Sequence, residues 1–578
     1  MLLLICTSLF AQDPGPKTQD PPPASPIRFE EISDAAGARL VHHTRTFRGK
    51  HADVLGMFTS GGAAVAVGDY DGDGDDDLFV TDSAVGQPNH LLRNELRPSG
   101  KLVFTDVARE AGVAGGNDER AIVSDALWLD ADNDGRRDLL VARFGAPLLY
   151  RNLGRGRFRE MAKEAGLTKF GNTIAAIAFD YDNDGRLDLL FGNYFQPVDL
   201  TELPTPHVLP NNLDNAVNGG GVTLWRNVTA PGSGELRFVE TTAKAGLAHH
   251  TGWTLDLGHG DLNNDGWQDL YLAVDYGTDR LFFNNGGGTF RDATKEAVGF
   301  DSRKGMNVDV ADYDRDGWLD IYVTNITDEY MKECNMLWHN DGDGTFTDLA
   351  KETGTCNTLW GWGAKFGDFD GDGWEDLFVM NGLRSAGPEN YIPVLFEMIV
   401  TPGIDFTDVN SYPPIGAMSW SGYQRKKLFR NLGTQAFKEM AAAAGVDNDR
   451  DGRGIGMADF DDDGRLDLYQ TSVDQPALLY RNVSPARHWL ELKLIGTKSN
   501  RDAIGARATL RVGGATLIRE VNGGNGYASQ STVRLHFGLG AAAKVDAVEI
   551  RWPSGRVEKV AVPVDRITTI KEGTGVVK

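Results

Sequence analysis

The chain has 578 residues, 41% of them apolar, enough for several domains with sizeable cores. Its formal net charge of −24 sets aside nucleic acid and anionic membrane as main partners and points to cations or basic partners. Its 70 glycines fall at turns, not in low-complexity tracts.

In chain order, MLLLICTSLFA (residues 1–11) has the apolar core and small final residue of a short secretory signal, although it lacks a basic start. LLIC before Cys6 is a poor lipobox because Leu4 and Ile5 are not small. The segment is too short to span a bilayer, and no other run of 18 apolar residues follows. Residues 12–27 are proline-rich and read as a stiff linker. The expectation is an exported protein, secreted, periplasmic or at the cell surface, without a transmembrane segment. Beyond the leader the cysteines are Cys334 and Cys356. In an exported protein they invite one disulfide, and two buried thiols are the alternative.

From Asp69 onwards the pattern D-x-[DN]-x-D-G-x-x-D-[LI] recurs seven times. Positions 1, 3, 5 and 9 are Asp69, Asp71, Asp73 and Asp77, then Asp130, Asp132, Asp134 and Asp138, then Asp180, Asp182, Asp184 and Asp188. The fourth copy holds Asp261, Asn263, Asp265 and Asp269, and the fifth Asp312, Asp314, Asp316 and Asp320. Asp368, Asp370, Asp372 and Asp376, then Asp459, Asp461, Asp463 and Asp467, complete the set. Oxygens at positions 1, 3 and 5 of a tight loop converge on one point, and glycine at 6 permits the sharp turn. Position 7 offers its backbone carbonyl; it is Asp75, Arg136, Arg186, Trp267, Trp318, Trp374 or Arg465. Calcium accepts six to eight such oxygens. A metal-free acidic hairpin is the competing reading, but Asn-Gly serves a bare turn better. The last carboxylate stands at 9 rather than 12, and the flanks are β-type runs, so the loop is not an EF-hand. About seven structural Ca2+ ions are expected, and they would cancel more than half of the net charge.

Two signals repeat in phase with the loops. An apolar L-x-x-N ends at Asn94, Asn152, Asn227, Asn284, Asn340, Asn431 and Asn482. An F-x-[DE] strand starts at Phe104, Phe158, Phe238, Phe290, Phe346 and Phe437, and its seventh copy, at Phe29, precedes the first loop. Each unit is thus four strands, and the N-terminal strand closes the last. The fold class is all-β: a seven-bladed β-propeller over residues 28–486, closed by its own terminus so that sheet edges are hidden. With GDFDGDGWEDLFV as the best example, the loops resemble the FG-GAP (integrin α-type) calcium repeat, which implies structural calcium at the matching aspartates.

Strands are named A to D from the axis outwards. The acidic hairpin joins A to B, so B–C and D–A loops share the opposite face. Two long B–C excesses, at about 195–221 and 383–425, both fall there, where loops on a rigid scaffold carry function. D–A loops add Arg48, His51, Arg120, Trp253, Arg303, Lys304, Trp360, Trp362 and Arg453 as a candidate ligand face. Aromatics among charges suit an extracellular protein, a glycan or a small carboxylated ligand, unless the tryptophans simply cap blade packing. Glu119, His249 and His250 provide an acid/base set should that face be the active site of a lyase, hydrolase or cyclase. The expected function is a binding or adhesion scaffold without turnover, since no nucleophile elbow, zincin or P-loop signature is present, and the enzyme is the alternative.

After Asn482 the acidic loops stop, and Gly-separated strands over 487–575 read as a small antiparallel, sandwich-like β domain. IGARATLRV, GYASQSTVRLHFGLG and VEIRWPSG resemble the ASPIC/UnbV domain, and the combination resembles the cartilage acidic protein 1 family. NGGNGYASQS (522–531) reads as a glycine-rich hairpin or a binding loop.

Overall fold

The computed structural model describes residues 25–577 apart from 50, 231 and 329. The expected leader and nearly all of the proline-rich segment lie outside the described residues.

The chain is all-β. Before residue 487 the described strands form seven four-stranded units, of which units 2 and 3 are fused by a short pairing of Gly171 and Asn172 with Gly145 and Phe144. The A strands are continuously buried runs, as in Ile122–Leu129 and Trp253–Gly260, because each sheet packs between two neighbours, and they carry buried polar residues such as Asp125 and Asp256. They are rich in alanine and glycine near the axis (Ala175, Ala176 and Ala178 in unit 3), where there is least room. Each A strand contacts the next, and the first contacts the last, which closes the ring. The outermost strand of unit 7 is Phe29–Glu31, antiparallel to Leu478–Asn482 with Phe29 opposite Asn482. The N-terminal strand therefore closes the ring, as the phase of the repeats required.

The residues after 487 form two four-stranded sheets. They are not wholly antiparallel: His488–Ile495 runs parallel to Ile567–Lys571, a pairing that its long intervening crossover makes possible.

The stretch 522–531 is neither a free hairpin nor an exposed loop. It enters the central channel from the acidic-loop end and hydrogen-bonds the A-strand region of every unit. Ser529 and Gln530 pair with Val65 and Ala66 of unit 1. The Gln530 amide both accepts from the Trp128 N–H (2.7 Å) and donates to the Trp128 carbonyl (2.9 Å) in unit 2. The Gly523 carbonyl accepts from Ala178 of unit 3 at 2.9 Å. Asn525 pairs in the same two-way fashion with His259 of unit 4. Units 5, 6 and 7 contribute Asn307 to the Tyr527 N–H, Lys365 to the Asn525 carbonyl, and Ile455 to Ser529. Seven sheets converging on an axis leave seven inner edges of unpaired backbone groups, and burying those unpaired is costly. The plug pairs some of them, in units 1–4 and 7, and A-strand aspartates pair others, as Asp256 does the Val308 N–H and Asp309 the Phe366 N–H. Glycine is required here: a Cβ at Gly523 would collide with the Ala178 carbonyl and one at Gly454 with the Ala528 carbonyl, while Gly526 sits at φ +94°.

Candidate metal loops and ligand cavity

At one end of the ring, the acidic loops repeat one geometry. In six of the seven, the first aspartate accepts from the backbone N–H groups of positions 5 and 6, as Asp130 does from Asp134 (2.9 Å) and Gly135 (2.7 Å). The loop needs two left-handed residues, not one: position 6 is glycine throughout, and position 4 is Gly72, Asn133, Asn183, Asn264, Arg315, Gly371 or Asp462, all at positive φ. Gly, Asn and Asp tolerate that region, and Arg315 is the departure.

The position-9 aspartate is at most 1% exposed in every loop. One of its oxygens accepts from the position-2 N–H and the other from the N–H of the L-x-x-N asparagine, as in Asp188 with Tyr181 (3.2 Å) and Asn227 (2.6 Å). The asparagine side chain in turn donates to the position-2 carbonyl of the preceding unit at 2.7–2.9 Å, seven times around the ring, including Asn94 to Phe460 across the closure. These asparagines repeat visibly in sequence, but their role as staples between units does not show there, because each acceptor belongs to another repeat.

Carboxylate oxygens of positions 1, 3 and 9 lie within 4.8 Å of one another in the loops of Asp69, Asp130, Asp180 and Asp312. The donor set fits a hard cation. One oxygen each of Asp182, Asp314 and Asp461, all at position 3, is buried without a hydrogen-bond partner. Burial, and then the neighbouring aspartates, push Asp188 and Asp376 well above the ordinary carboxylate range, a cost that a divalent cation removes. Position 5 is tied differently from the sequence expectation: Asp134, Asp184 and Asp463 each pair with the arginine at position 7, Arg136, Arg186 and Arg465. In the fourth loop, where Asn263 stands at position 3, Arg551 of the C-terminal sheets pairs with Asp261. Lys493 reaches Asp69 at 3.1 Å and Arg534 reaches Asp462 at 3.2 Å, so the C-terminal sheets rest on this acidic end.

The opposite end carries a cavity of about 140 Å³. The two long B–C insertions meet over it, Leu213 from the first and Leu395, Phe406 and Trp420 from the second, with Met57 and Phe58 of the helix Ala52–Phe58 alongside. Lys304, Trp360 and Trp362 of the expected ligand face do line it. Two others lie deeper. Trp253 is fully buried, its ring 4.9 Å from Tyr194, because the A strand starts at that residue and turns it into the core. Arg453 is also fully buried, donating to the carbonyls of Gly382, Leu383 and Gly452 with its guanidinium 4.1 Å from the Trp362 ring centre, and burial lowers it to about 10. Both were expected at the surface because the repeat phase assigns an end of the ring but not a depth.

The remaining candidates stay outside the cavity. Arg48 and Arg120 are exposed, and Arg120 lies 3.7 Å from Glu202. His51 precedes the helix Ala52–Phe58. Arg303 pairs with Asp348 at 2.9 Å and also donates to the Cys334 carbonyl. Glu119 is exposed before unit 2, whereas His249 and His250 line a separate cavity at unit 4. The acid/base set is therefore not assembled. Burial, then Arg280, hold His250 down at about 4, and its ring meets the Thr254 hydroxyl at 2.8 Å. Cys334 and Cys356 form a disulfide with Cα atoms 4.8 Å apart. Sequence reasoning missed Tyr330 and Trp420, and reached Tyr527 only as part of the stretch 522–531. The aromatic cluster inside the second insertion, SWSGY at 419–423, was the one available signal.

Among the described residues no helix is long and apolar enough to cross a membrane. The FG-GAP-like repeat family matches residues 130–191, 261–323 and 327–379, and the ASPIC and UnbV family matches 496–577. Human cartilage acidic protein 1 is 25% identical over 59% of this chain and 46% of its own length. The Xenopus tropicalis protein of the same name is 26% identical over 88% of this chain and 72% of its own. The chain thus spans about half the length of the human and mouse relatives it matches. A solved Agrocybe aegerita lectin, described as recognising non-reducing terminal N-acetylglucosamine, covers 72% of this chain and 86% of its own at 17% identity and a TM-score of 0.36. The chain thus carries segments similar to FG-GAP-like repeats, followed by one similar to the ASPIC and UnbV family, and it is similar over much of its length to cartilage acidic protein 1.

Proposed function

We propose that the protein is an exported, calcium-stabilised recognition scaffold of the adhesion type. In this reading about seven Ca2+ ions sit in the acidic loops, held by positions 1, 3, 5 and 9 and the position-7 carbonyl. They hold the hairpins closed and do not face the ligand. Ligand recognition belongs to the opposite end. The observation that carries this is the convergence of both long insertions over one aromatic cavity at that end, while the acidic end is covered by the C-terminal sheets. The second insertion adds a helix, Ile392–Val400, whose Phe396, Ile399 and Val400 remain exposed beside the cavity, which supports an extracellular protein as partner. The domain division proposed is 28–486 for the propeller and 487–575 for the C-terminal β domain.

The test is retention of secreted proteins and glycans by the immobilised, calcium-loaded chain, compared with Phe396→Ser/Val400→Ser and Trp420→Ala variants. Retention lost in these variants and kept in an Asp343→Asn surface control supports the reading. Retention unaffected by them, or lost only on mutating the acidic end, contradicts it.

A further inference from the structure

We infer that the axial cavity is a composite site for a single apolar ring bearing one hydrogen-bond acceptor, with its floor supplied by Tyr527 of the C-terminal domain. This rests on the assignment of that end as the recognition face, and it narrows the ligand class.

Size is the first argument. About 140 Å³ is close to the roughly 150 Å³ apolar cavity that stays dry and takes up benzene or xenon. It has room for one ring.

The wall chemistry is the second. Most of its polar groups already have partners. Tyr194 donates to Asp275 at 2.5 Å, and Lys304 is held by Glu333 at 2.8 Å. Trp420 donates to the Tyr330 hydroxyl at 3.3 Å and Tyr527 to the Gly61 carbonyl at 3.1 Å. A sugar would lose water from several hydroxyls and find few partners, which is unfavourable. Two buried lining donors have no hydrogen-bond partner, the indole N–H of Trp360 and of Trp362, whose side chains are 8% and 7% exposed. They offer donors to a carbonyl or ether oxygen, and the surrounding rings favour edge-to-face contact with an aromatic group.

The origin of the floor is the third. Tyr527 is the tip of the plug, fully buried, with its ring 5.1 Å from that of Trp362. Its hydroxyl reaches the Gly61 carbonyl so closely that a Cβ at Gly61 would occupy the same space. The cavity is therefore bounded by a side chain from the domain docked at the far end of the ring. Binding in the cavity stabilises the docked plug, and undocking the plug enlarges the cavity.

The experiment uses the full, calcium-loaded chain and four probes: acetophenone, toluene, 2-acetylnaphthalene and N-acetylglucosamine, read by ligand-observed NMR and by thermal midpoint. We expect acetophenone to bind about 2- to 10-fold more tightly than toluene, the worth of one hydrogen bond. The naphthalene should bind only to Tyr527→Ala, and the sugar to neither. Ile326→Phe, which fills the cavity from a buried wall position, should abolish acetophenone binding. If Tyr527→Ala does not fold, Ile326→Phe decides: continued acetophenone binding overturns the site. Naphthalene binding to the wild type, or selectivity unchanged in Tyr527→Ala, overturns the composite floor. If no ring probe binds while Trp420→Ala still abolishes partner retention, this inference fails and the recognition reading stands.

Discussion

The acidic end and the cavity end of the ring are assembled by opposite means. At the acidic end each unit makes the same bonds: a buried position-9 aspartate braces its loop, and an asparagine ties that loop to the preceding one, seven times over. At the cavity end the units contribute unequally. Units 3 and 6 send insertions, the chain before unit 1 sends a helix, and the C-terminal domain sends Tyr527 through the channel. Repetition suits a task that is the same in every unit, in the proposed reading the closing of a hairpin around a cation. Irregularity suits recognition, because a ligand has no sevenfold symmetry to match.

The comparison breaks most forcefully on metal removal. An ion at 100 times its Kd stabilises by about 2.7 kcal/mol, so several sites together should lower the thermal midpoint by more than about 10 °C when a chelator is added. Scanning calorimetry with and without chelator checks this. The plug, which joins the two ends, comes next. Gly523→Ala drives a methyl into the Ala178 carbonyl and should cost roughly 3 kcal/mol, the upper range for overpacking, in denaturant unfolding. At the cavity rim, reducing the disulfide between Cys334 and Cys356, 22 residues apart, should cost about 3 kcal/mol by loop entropy while leaving metal content unchanged. At the acidic end, Asn227→Ala strands the buried carbonyls of Ala131 and Leu187 and should cost about 1–3 kcal/mol.

The smallest expected effect concerns the C-terminal domain. Burial opposes ionisation of Glu572, but hydrogen bonds from Ser554 and from the N–H groups of residues 497–499 prevail and hold it at about 2. Its folded value lies below the unfolded one, so its stabilisation is fully present above about pH 4.5 and is lost as pH falls through about 2. Glu572→Gln should therefore be less stable than wild type at neutral pH, with the gap closing on acidification in pH-dependent melts. A gap that widens there contradicts the assignment.

The acidic end was legible because coordination chemistry demands particular residue types at fixed short spacing, and the phase of the F-x-[DE] strands revealed the N-terminal closure. The end of the ring that carries the insertions was legible from strand parity alone. Depth was not: Trp253 and Arg453 sit at the right end of the ring but inside the A strands Trp253–Gly260 and Gly452–Ala458, under the surface, since nothing in the repeat distinguishes an A strand's first residues from the loop before it. Contacts between distant residues were also out of reach. The Asn284 staple spans 103 residues and the Tyr527–Gly61 bond 466, and no local pattern records either.

The central claim is that the acidic end is a ring of cation sites, and native mass spectrometry of the chain dialysed against calcium tests it most directly. About seven calcium ions per chain, with the fourth loop the first to empty as calcium is lowered, is the result this account predicts. A chain that carries none or one, and melts at the same temperature with or without chelator, would contradict it.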